Sequence, residues 1–163
     1  MSNILALDQS SRCSGWCVFV NEKLLDWGHL NTNQDEIGER LVSIRNFIIK
    51  KVEEWNIDTI AFEDIQLQTS VGNNVKTFKA LANVYGIVLE TAVELNKKVV
   101  IIPSSTWKSE LKIKGRTRPD QKRNAQKYVM DTFNIKPTQD EADSICIGVC
   151  ACGIHKEGFD WSE

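Results

Sequence analysis

The 163-residue sequence lacks any apolar run near the roughly 20 residues that a membrane-spanning helix requires. Its N-terminus also lacks the basic start and long apolar stretch of a secretory signal peptide. Histidines number only two, and the five cysteines are an odd count. We therefore expect a cytoplasmic protein with reduced thiols, no disulfide framework and no membrane partner.

Four of the cysteines form pairs with i,i+4 spacing, Cys13 with Cys17 and Cys146 with Cys150. That spacing is not the spacing of a zinc finger or zinc ribbon. We interpret these cysteines as small buried apolar side chains and keep a zinc site as the alternative. Neither His29 nor His155 is placed as an obvious ligand or base, so we interpret both as structural.

Charge is unevenly spread, although the formal net charge is only −2. Between Trp107 and Lys127, eight basic residues face two acidic ones, which gives this window +6 and leaves −8 for the rest. The block favours a polyanionic partner, with a solvated surface loop as the alternative. Its basic residues are Lys108, Lys112, Lys114, Arg116, Arg118, Lys122, Arg123 and Lys127.

Hydrophobic periodicity predicts an α/β fold in one domain spanning residues 1–163, with the order βββαβαβ followed by helices. Strands are predicted at 3–8, 14–20, 23–30, 58–63 and 97–102, and a polar segment at 66–74. Helices are predicted at 35–55, 75–96, 106–111 and 120–133, with a last helix after Pro137. Thr32 or Asn33 is the candidate N-cap of the first helix, and Thr138 with Glu141 has capping-box spacing. A three-stranded antiparallel meander feeding α/β units predicts a mixed sheet with helices on both faces.

Four acidic residues lie next to these apolar segments. Asp8 and Glu63 each end a strand, and Asp140 and Asp143 share one face of the last helix. Two carboxylates about 4 Å apart repel by roughly 4 kcal/mol at an effective dielectric near 20. If all four converge, a divalent cation such as Mg²⁺ or Mn²⁺ would relieve the repulsion, which suggests metal-dependent phosphoryl transfer.

Each acid also has a simpler interpretation. Asp8 could begin a turn, Glu63 could be solvated, and one acid of the helix pair could serve only the helix dipole. We expect the neighbouring Asp64 and Glu141 to point away from the site.

The residues around these acids resemble the RuvC family of Holliday-junction resolvases. The likeness runs from residue 3 to about 152, and the order and spacing of all four acids match. It is carried by Ile4-Leu5-Ala6-Leu7-Asp8-Gln9-Ser10-Ser11 with Gly15-Trp16, by Phe62-Glu63-Asp64, and by Asp140-Glu141-Ala142-Asp143-Ser144. The compact chain is similar to bacteriophage-encoded members.

This resemblance implies an RNase H-like fold with a five-stranded sheet, a homodimer, and a two-metal endonuclease that cuts four-way DNA junctions. Asp8, Glu63, Asp140 and Asp143 would be the catalytic acids and metal ligands, with Asp8 bridging two Mg²⁺ ions for which Mn²⁺ can substitute. Lys108 and Lys122 match functional lysines of the family. Gln66 stands where the family has a stacking aromatic residue. Phe78 is a possible substitute, but we interpret it as a core residue.

From this we expect Lys108 to offset charge at the scissile phosphate. The expected DNA-binding residues are Lys112, Lys114, Arg116, Arg118, Lys122 and Arg123, and the helix at 75–96 is the candidate dimer interface. Three alternatives remain: a nucleotide-binding protein of the actin and sugar-kinase type, a non-cleaving binder of branched DNA, and an RNase H-like nuclease acting on RNA or hybrids.

Overall fold

A computed structural model of the chain describes residues 2–66 and 75–157, with side chains through residue 153. Most of the polar segment predicted at 66–74, and the side chain of His155, lie outside the described residues. The strands are β1 (Asn3–Asp8), β2 (Cys13–Val20), β3 (Lys23–Asn31), β4 (Thr59–Glu63) and β5 (Lys98–Ile102). The helices are α1 (Ile37–Trp55), α2 (Val75–Glu94), α3 (Ser104–Glu110), α4 (Arg118–Phe133) and α5 (Gln139–Glu157).

The five strands form one mixed sheet in the order β3-β2-β1-β4-β5. The first three strands pair antiparallel, and β4 lies parallel to both β1 and β5. Asn21 and Glu22 form the two-residue turn between β2 and β3, with positive φ values of 49° and 68°. Positive φ at both positions gives the turn the same twist as the two strands that it joins. The predicted meander and mixed sheet are confirmed.

Both faces of the sheet are covered, which explains why β1 is a continuous apolar run rather than an alternating one. Alternate side chains of the strands point to opposite faces. Ile4, Ala6 and Ala61 share one buried cluster with residues of α3, α4 and α5. Leu5, Leu7 and Phe62 share the other with residues of α1 and α2.

Two glycines let α5 lie directly on β2. A Cβ atom at Gly15 would stand 1.9 Å from the backbone oxygen of Asp140, and one at Gly148 would stand 2.5 Å from the Phe19 ring. Close approach of helix and strand along this line fixes how far the N-terminus of α5 extends over the sheet.

The start of α1 differs from the prediction. The helix begins at Ile37, and its N-cap Glu36 makes no side-chain cap, so neither Thr32 nor Asn33 caps it. Thr32 instead donates its hydroxyl to the carbonyl oxygen of Ser11 at 2.6 Å, which ties the end of β3 to the turn after β1. A bond to a residue 21 positions away has taken the place of the predicted cap.

The later helices follow the sequence more closely. α4 begins two residues before the prediction, because Thr117 caps it and Pro119 occupies its first turn. The capping box of α5 is confirmed. Thr138 N–H donates to Glu141 Oε1 at 3.0 Å, and Glu141 N–H donates to Thr138 Oγ1 at 3.2 Å.

The five cysteines are free thiols, four of them buried and Cys13 partly exposed. Within the described ranges, none of the helices combines the length and apolar character needed to cross a bilayer.

Candidate active site

Asp8 and Glu63 lie side by side at one edge of the sheet. β1 and β4 are adjacent and parallel, and their register pairs Leu7 with Phe62, so the next residue of each strand is an acid. Asp8 lies two residues after Ala6, and Glu63 lies two residues after Ala61. Both acids therefore point to the face of the sheet that α5 covers. The fold therefore aims two carboxylates from distant sequence positions at the same helix end.

Gln9 closes the gap between these two strand ends. Its Nε2 donates to the carbonyl oxygen of Glu63 at 2.6 Å, and its Oε1 accepts from the Glu63 N–H at 3.3 Å. The side-chain amide thus continues the β1–β4 ladder by one more pair of bonds. On the other side, Asp64 N–H donates to the Ile102 carbonyl at 3.0 Å, so the end of β4 is held from both directions.

The N-terminus of α5 supplies the other two acids. Asp140 and Asp143 are three residues apart and therefore share a helix face. Together with Asp8 and Glu63 they line a cleft of about 740 Å³. The predicted convergence of all four acids on one cleft is thus what the structure shows.

The carboxylates in the cleft disfavour one another's charge. Burial raises the pKa of Asp8 well above its usual value, and repulsion by Glu63, Asp143 and Asp140 raises it further, against a lowering by Lys122. Burial also raises the pKa of Glu63 and of Asp143. Such a cluster is a place where added positive charge is strongly favoured.

Glu63 and Asp143 each have a contact with a neighbouring side chain that favours the ionised carboxylate. Trp107 Nε1 donates to Glu63 Oε2 at 3.0 Å, and Lys122 Nζ lies 3.5 Å from Asp143 Oδ2. Each contact lowers the pKa of its carboxyl group and so opposes the effect of burial. Lys108 Nζ donates to Gln121 Oε1 at 3.1 Å on the wall of the same cleft.

The donor set is suited to a hard divalent cation because it consists of carboxylate oxygens that repel one another. Its present arrangement is not a finished coordination sphere. Among residues 2–66 and 75–157, no group of three or more histidine, cysteine, aspartate or glutamate side chains could hold a metal ion as it stands. A bound cation would compete with Trp107 for Glu63 and with Lys122 for Asp143.

A model of the family described as "Crossover junction endodeoxyribonuclease RuvC" matches residues 4–151 of the sequence. The chain belongs to this RuvC family. The RuvC of Alkaliphilus oremlandii is 25% identical over 152 residues, which cover 90% of each chain. That of Ehrlichia ruminantium is 28% identical over 160 residues, covering 91% of this chain and 94% of the other.

Solved structures agree on the fold. Thermus thermophilus RuvC, solved in complex with a Holliday junction substrate, matches with a TM-score of 0.78 at 16% identity, over 97% of both chains. The yeast mitochondrial Holliday junction resolvase Ydc2 matches with a TM-score of 0.58 at 14% identity, over 97% of this chain and 81% of that one. These likenesses confirm the RNase H-like fold that the resemblance implied.

The predicted basic residues of this RuvC-family chain divide into two groups. Lys108, Arg118 and Lys122 line the cleft. The other four are exposed and are not among its lining residues, and Arg123 is paired with Asp120. These four are Lys112, Lys114, Arg116 and Arg123.

Two expectations about neighbouring residues need correction. Asp64 lines the cleft, although it was expected to turn away, because β4 ends at Glu63 and the strand alternation ends with it. Phe78 also lines the cleft rather than belonging to either buried cluster, and the exposed Gln66 lies there too. Glu141 does point away, as expected.

Sequence reasoning missed several residues of the cleft. Arg12 lines it from the turn between β1 and β2. Cys13, treated above as a core residue, also lines it. A hydrogen bond to Asp140 helps burial raise the pKa of this thiol to about 11. The only sequence signal for either residue is its closeness to Asp8.

Proposed function

We propose that this chain is a Holliday-junction resolvase, a single-domain endonuclease that hydrolyses DNA phosphodiesters with the help of two bound Mg²⁺ ions, for which Mn²⁺ can substitute. The observation that carries the proposal is the cleft itself. Four acids from three separate segments open on it together with the basic side chains Arg12, Lys108, Arg118 and Lys122. Membership in a family of crossover junction endodeoxyribonucleases supports the same activity.

Asp8, Glu63, Asp140 and Asp143 would hold the ions. When bound, such ions activate water and stabilise the leaving oxygen. The chain's own contribution is to keep four carboxylates in place against their mutual repulsion, through the β1–β4 pairing, the Gln9 amide and the seat of α5 on Gly15. Lys122 offsets the charge of Asp143, and the Trp107 N–H stabilises the ionised form of Glu63.

Lys108 is placed to act on the substrate phosphate. It lines the cleft with the four acids, and its ammonium group donates to Gln121 and lies 5.4 Å from the centre of the Trp107 ring. Positive charge at this point would offset the charge that develops on the phosphate during attack. Phe78 also lines the cleft and would offer an apolar face to an unstacked base, a role that Gln66 would fill poorly.

The exposed basic residues of 112–123 would bind phosphates on either side of the cut. Changing Lys112, Lys114, Arg116 and Arg118 to Glu should weaken junction binding, and it should lower the slope of log affinity against log salt by about 0.9 for each phosphate that the variant no longer neutralises. A control with charge reversals outside this segment changes Lys23, Lys50 and Lys98, which are also exposed, to Glu. An unchanged salt slope in the first variant would mean that its basic residues are ordinary surface.

Paired cuts in a four-way junction call for two active sites, which a two-fold symmetric homodimer supplies. We propose that α2 forms part of the interface, because Val75 and Val93 on this helix are 64% and 60% exposed. Sedimentation at micromolar concentration should give a dimer, and Val93→Glu should shift it toward monomer. A wild-type protein that sediments only as monomer would contradict paired cutting by a stable dimer.

The decisive assay incubates the purified protein with labelled four-way junction, fork, duplex and RNA–DNA hybrid, each with Mg²⁺, with Mn²⁺ and with EDTA. We expect cleavage of the junction with either metal, weaker cleavage of forks, and none with EDTA. Preferred cleavage of the hybrid would favour an RNase H-like activity instead. Binding without cleavage under every condition would favour a non-catalytic DNA-binding protein.

Cytoplasmic location and bacteriophage origin stay predictions.

A further inference from the structure

His29, which lies outside the cleft, contacts the helix that carries two of its acids. His29 Nδ1 lies 2.8 Å from Glu141 Oε2. A carboxylate only accepts hydrogen bonds, so the imidazole donates through Nδ1. The other oxygen of the same carboxylate, Oε1, accepts from the Thr138 N–H at 3.0 Å. The Glu141 carboxylate therefore joins β3 to the N-terminal turn of α5.

Strand pairing explains why this contact bears on the site. Asp8 pairs with Gly15 across β1 and β2, and Gly15 pairs with His29 across β2 and β3. The three residues form one row across the sheet, and cross-strand partners point to the same face. That face is the one covered by α5. Asp8, Gly15 and His29 therefore lie in one row beneath the N-terminus of α5.

The backbone of α5 contacts the sheet at Gly15. Because Gly15 has no side chain, the backbone oxygen of Asp140 occupies the space that a Cβ atom would fill. Asp8 stands on one side of this contact and His29 on the other. Because Glu141 lies between Asp140 and Asp143 in sequence, its bond to His29 fixes the rotation of the helical turn that presents both acids to the cleft.

Glu141 is held more firmly than an ordinary surface acid. Its side chain is 12% exposed, although His29 is 38% exposed. Both oxygens are engaged, and the Glu141 backbone N–H donates to Thr138 Oγ1 at 3.2 Å. A helix end that would otherwise have unpaired N–H groups and freedom to shift is therefore fixed in orientation.

We propose that His29 is a positioning residue for the metal site, acting through Glu141 to hold the turn of α5 that carries Asp140 and Asp143 against the strand end that carries Asp8. This inference rests on the proposed metal-dependent function. Loss of a side chain that orients a metal ligand commonly weakens metal binding by about 10- to 100-fold. An effect near the lower limit is expected here, because Gly15 and the capping box remain.

The test compares wild type with His29→Ala, His29→Gln and Arg45→Ala. Glutamine can still donate to Glu141, so it should restore part of the loss. Arg45 donates to Glu94 at the same 2.8 Å, between α1 and α2 on the opposite face of the sheet, and serves as the control for loss of a side-chain hydrogen bond between two elements. Mn²⁺ binding to the free proteins is measured by calorimetry. The Mg²⁺ concentration for half-maximal junction cleavage and the melting temperature are measured alongside.

We expect His29→Ala to bind Mn²⁺ about tenfold more weakly and to need about tenfold more Mg²⁺, with cleavage at saturating metal within about twofold of wild type. Arg45→Ala should keep wild-type metal affinity. Wild-type metal affinity in His29→Ala would overturn the inference, as would equal weakening in Arg45→Ala. If wild type itself binds no Mn²⁺, the proposed function fails instead. Should His29→Ala not fold, His29→Gln decides by the same comparison.

Discussion

The two halves of the carboxylate cluster are held by different means. Asp8 and Glu63 end strands that are paired on both sides, β1 between β2 and β4, and β4 between β1 and β5. Asp140 and Asp143 lie in the first turns of α5, where backbone N–H groups lack partners within the helix. The strand half is thus fixed by the pairing of the sheet, and the helix half by the packing of α5 on the sheet together with the contacts of Glu141 at the helix end.

This difference separates stability from metal binding. A change that disturbs the strand half should lower both, because the same pairing builds the sheet. A change that disturbs only the contacts of the helix end should lower metal affinity with little loss of stability. Active sites commonly combine a rigid base with one element that can adjust.

The largest expected effect belongs to Asp8, the acid that the three others repel. Asp8→Asn should reduce junction cleavage by about 10³-fold, since a cation that stabilises charge by several kcal/mol loses its central ligand. Junction binding should persist, and the metal-free protein should melt at a higher temperature because one buried negative charge is gone. Normal cleavage by this variant would rule out the cluster as the active site.

Gln9→Ala tests the strand half. It removes both bonds to the Glu63 backbone and leaves that N–H and carbonyl without partners, at a cost of about 1–3 kcal/mol in the free energy of unfolding. Cleavage should fall about tenfold or more together with stability. Urea unfolding and junction cleavage measure the pair of effects. If stability falls and cleavage does not, Glu63 is held in place without Gln9.

Trp107→Phe tests the side chain of Glu63 separately from the backbone pairing that holds the strand half. Trp107 is 2% exposed, and phenylalanine keeps most of its packing while losing the bond from Nε1 to Glu63. Unfolding free energy should fall by about 1 kcal/mol. Because the lost bond lowered the pKa of Glu63, that pKa should rise further. Metal affinity should be equal or higher, since the cation no longer competes with the indole, and a calorimetric titration that shows weaker binding would contradict this.

The smallest effect concerns pH. The raised pKa values of Asp8, Glu63 and Asp143 mean that the folded state binds protons more tightly than the unfolded state does. Stability of the metal-free protein should therefore fall as pH rises from about 4, where unfolded carboxyl groups ionise, through the raised folded values. The melting temperature is measured against pH for wild type and for Asp8→Asn, and the difference between the two curves isolates the contribution of Asp8. Saturating Mg²⁺ should abolish this pH dependence. A wild-type protein that gains stability relative to Asp8→Asn as pH rises would contradict the repulsion among the acids.

Much of the fold followed from local patterns. The five strands, the order of elements and the capping box of α5 depend on short-range periodicity and on neighbouring residues, which a sequence displays directly. The start of α1 did not follow, because Thr32 bonds to Ser11, 21 positions earlier in the chain, and nothing in the local sequence favours that bond over capping.

The acids of the site could be predicted because strand ends and helix starts mark where chemistry is placed in such folds. The residues that hold them could not. Gln9 acts on Glu63, 54 positions away, and His29 acts on Glu141, 112 positions away. Such pairings depend on the register of strands and on a helix resting on a glycine, which no single-sequence pattern specifies.

The most direct test of the account is a crystal of the protein grown or soaked with Mn²⁺ and measured at the manganese absorption edge. The account predicts anomalous density in the cleft, about 2.1 Å from carboxylate oxygens of Asp8 and of at least one residue each from the strand and helix halves. Anomalous density bound elsewhere, or a cleft without it at saturating Mn²⁺, would contradict the claim that sheet and helix together form one cation site.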